Sequence, residues 1–514
     1  MTELSGCSLD AADAEAFGRA SEPSTLPVPD PTSSYWLATS ADPTEADEIY
    51  DGRKTSPLSK EQHGRADVVI IGSGITGISA AYHLLHRADV LPDSLKSIVV
   101  LEARQFCSGA TGRNGGHLTP VSALSYLDLA SNPSHLCRLQ QDADSTNTSQ
   151  TDAVVKQILQ LEQGTALKLI EIISANGKAE EVQLVHKRNW HLCFNPAEEA
   201  TFEAALEAAK AAGLSDFVQQ VRKVKQDECT QALHHPNGVF CAYEIPGAHL
   251  HPRRLVHLLW KLSLEAARKQ GITLRAYTYT PVLKLNNRPV DVVLNLGPSQ
   301  SVLKARYVLH ATNAYASYLA PQLAGPNGIV PTRAQCVAAL PTASSDQRWE
   351  MGMSLNAGYE YLQQRPTPAG QTSAGPAIFG GGRYLSETME YDNSDDSTIH
   401  PSISAFLRSS LPSTFPSNFG TCPADVSHEW TGIIGMTRYK DPLVGPLPSS
   451  DHSVPVPSQY LSAGYSGHGM TRAFACAAIV ADLIAFDANG QLDQWKLPTG
   501  FPACYLTMFP TQRT

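Results

Sequence analysis

Ala66-Asp-Val-Val-Ile-Ile-Gly-Ser-Gly-Ile-Thr-Gly77 opens the stretch that decides the fold. Ile98-Val-Val-Leu-Glu-Ala-Arg104 and Ser108-Gly-Ala-Thr-Gly-Arg-Asn-Gly-Gly-His117 continue it. The apolar, β-branched run Val68–Ile71 reads as a buried parallel strand. Gly72, Gly74 and Gly77, around Ser73, Ile75 and Thr76, complete G-x-G-x-x-G. The first glycine permits a tight turn, the second lets a pyrophosphate approach the backbone, and the third lets helix and strand pack closely. The following helix carries Ile75, Ile78, Ala81 and Leu85 on one face and aims its N-terminal N–H groups and dipole at that phosphate. A second strand, Ser97–Leu101, ends in Glu102, Ala103 and Arg104, with the acid placed to accept hydrogen bonds from ribose hydroxyls. Strand, glycines, helix, strand and acid in this order specify a dinucleotide site. Glu102 argues against NADP, whose 2′-phosphate would meet it anion to anion; the unit alone leaves FAD and NAD open.

At 514 residues the chain is long enough for a large core and two domains. Its 42% hydrophobic and 17% charged residues are ordinary for a soluble enzyme, and the net charge of −10 argues against nucleic acid or an anionic membrane as partner. The ten cysteines show no C-x-x-C pair or metal-ligand spacing, so no metal centre is expected and the thiols read as reduced, in a cytoplasmic protein. Met1-Thr-Glu-Leu4 lacks the basic start and apolar run of a secretory signal, and Gln512-Arg513-Thr514 is not the usual peroxisomal tripeptide. The run Phe474–Phe486, broken by Asp482, is too short for a membrane span.

Residues 1–58, rich in Ser, Pro, Asp and Thr, read as an extended arm whose Tyr35-Trp36 pair docks onto the body. Segments 60–120, 235–330 and 420–490 read as the nucleotide-binding domain. Segments 121–234 and 331–419 read as a substrate domain with a helical insert, and 491–514 as a C-terminal tail. Helices are expected over 152–174, with Val154, Ile158, Leu161, Leu169 and Ile172 on one face, and over 197–213, 251–270 and 470–486. Strands are expected at 273–279, 282–285, 292–296 and 302–309. Region 331–385 alternates like an antiparallel sheet, with a loop at 366–376. The fold class is α/β: a Rossmann-like domain joined to an antiparallel-sheet α+β domain, both discontinuous.

Two further motifs have a ligand reading and an ordinary one. Ala311-Thr312-Asn313-Ala314 is a small-residue turn after a strand, open to a cofactor or simply ending the strand. Gly464-Tyr-Ser466-Gly467-His468-Gly469-Met470 sets glycines before a helix N-terminus, suited to the polar edge of a flavin or to starting a helix.

With Gly109-Ala110-Thr111-Gly112-Arg113-Asn114-Gly115-Gly116, Gly247 to Leu255, Pro331-Thr-Arg-Ala-Gln335, Phe379-Gly-Gly-Gly-Arg383 and Glu429-Trp-Thr-Gly432, these segments run in family order over residues 65–488. In that order they resemble the D-amino-acid oxidase-like superfamily of FAD-dependent oxidoreductases. The likeness is strongest to the branch with sarcosine oxidases, glycine oxidases and γ-glutamylputrescine oxidoreductases. The resemblance implies a glutathione-reductase-type FAD-binding domain, and FAD rather than NAD. It places the AMP ribose on Glu102, the pyrophosphate on the first helix, and the adenine beside the backbone of Val282. It wraps Ser108–Gly116 around the ribityl chain and flavin, and sets Gly464–Met470 at the pyrimidine edge.

The reaction so implied is oxidation of an amine or amino-acid C–N bond by hydride transfer to flavin N5, giving an imine that hydrolyses. The electrons then pass to molecular oxygen or another acceptor. His117, leaving the flavin loop, either faces the substrate or makes a structural hydrogen bond. Tyr359 and Tyr361, two apart, would share a face of the covering sheet, with Tyr361 the pocket residue. Arg383 and Arg333 either fork onto a substrate carboxylate or pair within the sheet. His468 orients the flavin-edge loop, and Cys107 reads as an inert thiol.

The chain also departs from its relatives. Asn114 stands where some carry a flavin-linked histidine, and no cysteine lies between Glu429 and Gly445, so the FAD is expected to be non-covalent. Thr471 replaces a lysine of sarcosine-oxidase-like members, and an apolar residue near Ile378 replaces an oxygen-promoting lysine. Oxidase behaviour therefore follows less directly than flavin binding. Two other readings stay open. One is a pathway-specific flavin dehydrogenase for a larger nitrogenous metabolite or a hydroxyl carbon, with 121–234 building a roomier pocket. The other is a flavin-binding protein without turnover.

Overall fold

The run after Arg65 becomes a central strand because both its faces are covered. In the computed structural model nine strands form the first sheet. They are β1 (Ile49–Asp51), β2 (Arg65–Ile71), β3 (Ser97–Leu101), β7 (Thr273–Thr278), β8 (Val282–Asn287), β9 (Val292–Leu296), β10 (Ser301–His310), β16 (Leu443–Pro448) and β17 (Pro455–Ala463). Their order is β1-β7-β3-β2-β10-β17-β16, with β9 and β8 branching off β10. The middle strands pair in parallel, Val68 beside Ile98 and Val69 beside Val308. Val68, Ile70, Ile98 and Val100 pack under the helices, whereas Val69, Ile71, Val99 and Leu101 pack against Val292, Leu294 and Leu303. Each such fully buried side chain contributes about 1.5–3 kcal/mol relative to exposure.

Six longer helices are α1 (Ile75–His86), α2 (Thr148–Ala175), α3 (Pro196–Ala211), α4 (Pro252–Gln270), α5 (Pro401–Thr414) and α6 (Gly469–Ala488). The ends of α4 follow from local chemistry: His251 caps it, Pro252 takes the first turn, and Gly271 stops it at φ 65°. Helix α6 extends beyond the apolar run expected to be too short. At 20 residues and mean hydropathy 1.6 it is long and apolar enough to cross a membrane, yet 78% of that window is buried. It packs against α1 and α2 as a core helix.

The described residues are 13–508 except 57–59, 62–63, 88–94, 133–147, 289–290, 298–300, 345–346, 368–369, 371 and 421. The start of the arm, the end of the tail and parts of the 366–376 loop lie outside them.

The second sheet has eight strands: β4 (Arg188–Cys193), β5 (Arg222–Val224), β6 (Cys241–Pro246), β11 (Val330–Ala339), β12 (Gly352–Leu355), β13 (Glu360–Gln364), β14 (Ala377–Gly380) and β15 (Val426–Met436). Their order is β15-β11-β14-β13-β12-β4-β6-β5. All pairs are antiparallel but one: β12 runs parallel to β4, two strands far apart in the chain that no hairpin joins.

Three strands cross the expected boundaries. β6 and β15 fall in segments assigned to the nucleotide domain but join the second sheet, β6 beside β4 and β15 along the length of β11. β1 falls in the arm but extends the first sheet, Ile49 beside Ala276, because Ile49 and Tyr50 bury their side chains there.

Candidate functional site

The phosphate end is built where β2 meets α1. Gly72 has φ 109°, and a Cβ on it would stand 2.6 Å from the Ala311 carbonyl oxygen. A Cβ on Gly77 would stand 2.0 Å from the Gly72 carbonyl oxygen, so only glycine lets the helix sit against its own turn. No side chain caps α1 at Gly74; the Ile75 N–H donates to Thr111 Oγ1 of the 108–116 loop, 3.1 Å away. Glu102 is buried: Oε2 accepts from the Ser73 N–H and hydroxyl at 3.1 and 2.7 Å, and Oε1 from the Arg104 N–H at 3.0 Å. The Tyr279 and Thr280 N–H groups donate to the Arg104 and Glu102 carbonyls, which brings the start of β8 at Val282 beside this turn.

Asn313 joins this end to the flavin-edge motif, its Oδ1 accepting from the Gly464 N–H at 2.9 Å. Thr76, in the first turn of α1, donates to the Tyr465 hydroxyl at 3.2 Å. The Thr437 N–H donates to Ser466 Oγ. Gly72–Gly77, Ala311–Asn313 and Gly464–Met470, far apart in sequence, therefore meet at the carboxyl ends of three adjacent parallel strands, β2, β10 and β17. The 108–116 loop carries a 3-10 turn, Ala110–Arg113, followed by Asn114. Trp36 of the arm donates its indole N–H to the Asn114 carbonyl at 2.6 Å, and Trp430 donates to that of Arg113 at 2.8 Å. Gly432 on β15 faces the Arg113 side chain, at 2.8 Å from where its Cβ would stand. The expected docking of Tyr35-Trp36 is present, with Trp36 fully buried.

The arginines of this loop have a partner that sequence reading missed. Asp396 accepts from Arg104 at 2.8 and 3.1 Å and lies 3.4 Å from Arg113 Nε. Arg113 also donates to the Ser108 and Thr431 carbonyls. Burial lowers the Arg113 pKa to about 10. Glu162 of α2 is a second missed residue. It is fully buried and accepts from Arg472, Thr471, the Val121 N–H and His468 Nδ1. Burial opposes its charge, but Arg472 and His468 outweigh that and hold its carboxyl well below the ordinary range. The readable signal was an acid in register with Ile158, Ala166 and Leu169 on a buried helical stripe.

The strand expected to line the pocket is β13. Tyr361 fits between Gly115 and Gly380, at either of which a Cβ would approach its ring to 2.5 Å. Its hydroxyl is 3.2 Å from Cys336 Sγ, and burial keeps it protonated by raising its pKa well above the usual value. The His117 ring meets Tyr361 edge-on at 5.8 Å. His117 Nε2 lies 3.2 Å from the Leu362 carbonyl, and burial lowers its pKa to about 4. Gln363, on the Tyr361 face, donates to the Gly115 carbonyl at 3.0 Å.

Tyr359 does not share that face. Ala357 adopts φ 52° just before it and the strand starts only at Glu360, so Tyr359 turns toward Tyr384 and Arg383 instead. Arg383, expected at a substrate carboxylate, pairs with Asp13 of the arm at 2.7 Å and lies over Tyr391. Arg333 pairs with Glu390. Both arginines are engaged in ion pairs, but with partners outside the sheet rather than within it. Cys107 is buried, and burial raises its pKa to about 12, as suits an inert thiol.

The residues present fit FAD. Gly74 brings no capping side chain to the start of α1, whose first N–H is held by Thr111 of the loop, and the Ser108 and Thr312 hydroxyls of two converging motifs are buried without hydrogen-bond partners. Fold and site define a two-domain, dinucleotide-binding oxidoreductase. The chain belongs to the FAD dependent oxidoreductase family, DAO, which matches residues 67–483. It is an FAD-dependent enzyme.

It is 25% identical over 451 residues to gamma-glutamylputrescine oxidoreductase of Escherichia coli, covering 84% of this chain and 88% of that protein. It is 23% identical to the probable oxidoreductase OrdL of Rhizobium meliloti, over 85% of this chain and 87% of that one. Glycine oxidase from Geobacillus kaustophilus has a similar structure, with TM-score 0.60 and 16% identity over 86% of this chain and 98% of that one. The L-proline dehydrogenase of P. horikoshii gives TM-score 0.56 and 18% identity over 86% and 97%.

Proposed function

We propose that this enzyme oxidises the C–N bond of an amine or amino acid. The substrate carbon would give a hydride to FAD, when bound, and the nitrogen would lose a proton; water would then hydrolyse the imine. The electrons leave to molecular oxygen or another acceptor. Similar proteins named for glutamylputrescine, glycine and L-proline support this class of substrate. When bound, FAD supplies the two-electron acceptor.

The observation that carries the reading is the meeting of His117 and Tyr361 against Gly115, at the end of the loop expected to wrap the flavin. His117 is neutral at pH 7, so an amine can sit beside it without the repulsion an imidazolium would add. Tyr361 supplies a protonated hydroxyl on the same wall. The first turn of α1 would hold the pyrophosphate, Glu102 the ribose, and Gly464–Met470 the pyrimidine edge. The FAD is held without a covalent bond, since burial keeps Cys107 a thiol and Asn114 offers no nucleophile. Free, mostly buried cysteines suit a cytoplasmic setting.

His117→Ala and Tyr361→Phe test the pocket by anaerobic stopped-flow. Losing one hydrogen bond to the substrate typically costs about 1–3 kcal/mol, so each variant should slow flavin reduction roughly ten- to hundredfold and keep its FAD. Wild-type reduction rates in both variants would remove these residues from the pocket.

A further inference from the structure

The terminal core helix starts on a buried ion pair that the proposed chemistry does not use. Glu162 Oε1 accepts from Arg472 Nε at 2.6 Å. Its Oε2 accepts from Thr471 Oγ1 at 2.8 Å and the Val121 N–H at 2.9 Å, with His468 Nδ1 at 3.3 Å. His468 is the N-cap of α6, and Thr471 and Arg472 lie in its first turn. Three of the four partners thus belong to one helix start, while the carboxylate comes from α2, between the expected pieces of the FAD domain.

Both charges are buried, Glu162 completely and Arg472 to 3% exposure. Arg472 also donates to the Lys440 carbonyl at 2.6 Å and lies 5.6 Å from the Tyr505 ring, and Asp441 acts on it electrostatically. Burying an ion pair so thoroughly costs desolvation that hydrophobic residues of the same volume would avoid, so stability alone is a weak reason for it. Its position supplies another. A helix N-terminus is a site of positive potential, and fixed charges near it add to or subtract from what a bound anion feels.

We propose that Glu162 is a positioning residue of the flavin edge: it fixes His468 and the first turn of α6, and by balancing Arg472 it sets the potential at which the flavin is reduced. This rests on the placement of Gly464–Met470 at the pyrimidine edge. Reduced flavin carries negative charge at that edge. Removing the Glu162 charge favours the reduced form, and removing the Arg472 charge disfavours it. His468, with a 42% exposed side chain, remains open to solvent on its other side.

The test is the midpoint potential of the FAD-loaded full chain, measured by dye-linked reductive titration, for wild type, Glu162→Gln, Arg472→Gln and the double variant. Glu162→Gln should raise the potential by a tenfold or larger change in the reduction equilibrium, about 30 mV for a two-electron couple. Arg472→Gln should lower it comparably. The double variant, again balanced, should return toward wild type, as a purely structural role would not require. Should Glu162→Gln not fold, the fall in Arg472→Gln and its reversal in the double variant still support the proposal. Variants that bind FAD at the wild-type potential overturn it and leave the FAD site standing. A wild-type protein that binds no FAD overturns the site and the proposal together.

Discussion

Asp396 closes a two-point ion pair with Arg104, 292 residues earlier in the chain, at 2.8 and 3.1 Å, with both side chains buried. Arg113 shares the same carboxylate at 3.4 Å. One acid from beyond β14 thus pairs with two guanidinium groups around the proposed flavin loop, with Glu102 a further anion acting on Arg104.

Asp396→Asn should therefore act at a distance from the nucleotide fingerprint. It leaves two buried cations without the carboxylate they share, and breaking a buried pair in this way typically costs about 3–5 kcal/mol. Urea unfolding should show that loss, and the variant should release FAD more readily than wild type. Asp395→Asn, at the more exposed neighbour, should do neither.

The glycines of the fingerprint separate folding from cofactor binding. Gly77→Val drives a side chain into the Gly72 carbonyl and should give insoluble or unfolded protein. At Gly74 the nearest neighbour of a new Cβ is Thr111 Oγ1, 3.2 Å away, toward the proposed pyrophosphate. Gly74→Val should fold, by circular dichroism, and carry little FAD.

The strand–turn–helix unit was legible because its determinants are local: β-branched residues, glycines at set spacing, and Glu102 at the next strand end. The same holds for α4, bounded by Pro252 and Gly271. Partners set by tertiary approach were not legible. Asp396 lies in an acidic run from Asp392 that reads as a solvated turn, and no local pattern joins it to Arg104. Tyr359 was misplaced because, after the left-handed Ala357, it adopts a helical conformation (φ −65°, ψ −29°), so the alternation of β13 begins only at Glu360. Glu162 carried one local sign, its register with the apolar stripe of α2, and none of Arg472, which meets it from α6.

Arg383 should prove an anchor for the arm. Arg383→Ala removes the partner of Asp13 and should make the N-terminal segment more susceptible to limited proteolysis. The KM for an acidic substrate should stay within about twofold of wild type, the range of a change outside the pocket. A tenfold rise in KM for acidic substrates alone would restore Arg383 to the site.

Stability should fall as the solution is acidified from about pH 6.5 to 4. Burial lowers the pKa of His83, His117 and His191 from 6.5 to about 4, so in that window the unfolded chain takes up protons that the folded one refuses. Each such group contributes a slope of about 1.4 kcal/mol per pH unit, with stability rising as pH rises. Glu360 opposes them: burial raises its pKa to about 7, so between pH 4.5 and 7 it favours the folded state at the lower pH. His249 and His251, held lower still by burial, act with the three imidazoles, so the balance is a net loss on acidification. Thermal melting between pH 4 and 7 should show Tm rising with pH; a flat or inverted profile would show that these imidazoles are charged in the fold.

On the proposed function, a bound FAD takes two electrons from an amine at the wall formed by His117 and Tyr361. Purified protein, made anaerobic and mixed with a panel of amines, amino acids and polyamines, tests it most directly by its visible flavin absorbance. The expected result is yellow protein with about one FAD per chain, released into the supernatant by acid precipitation. At least one nitrogenous substrate should bleach it fully, without a stable one-electron species. Yellow protein that no amine bleaches, but that a hydroxy compound does, would contradict the claim.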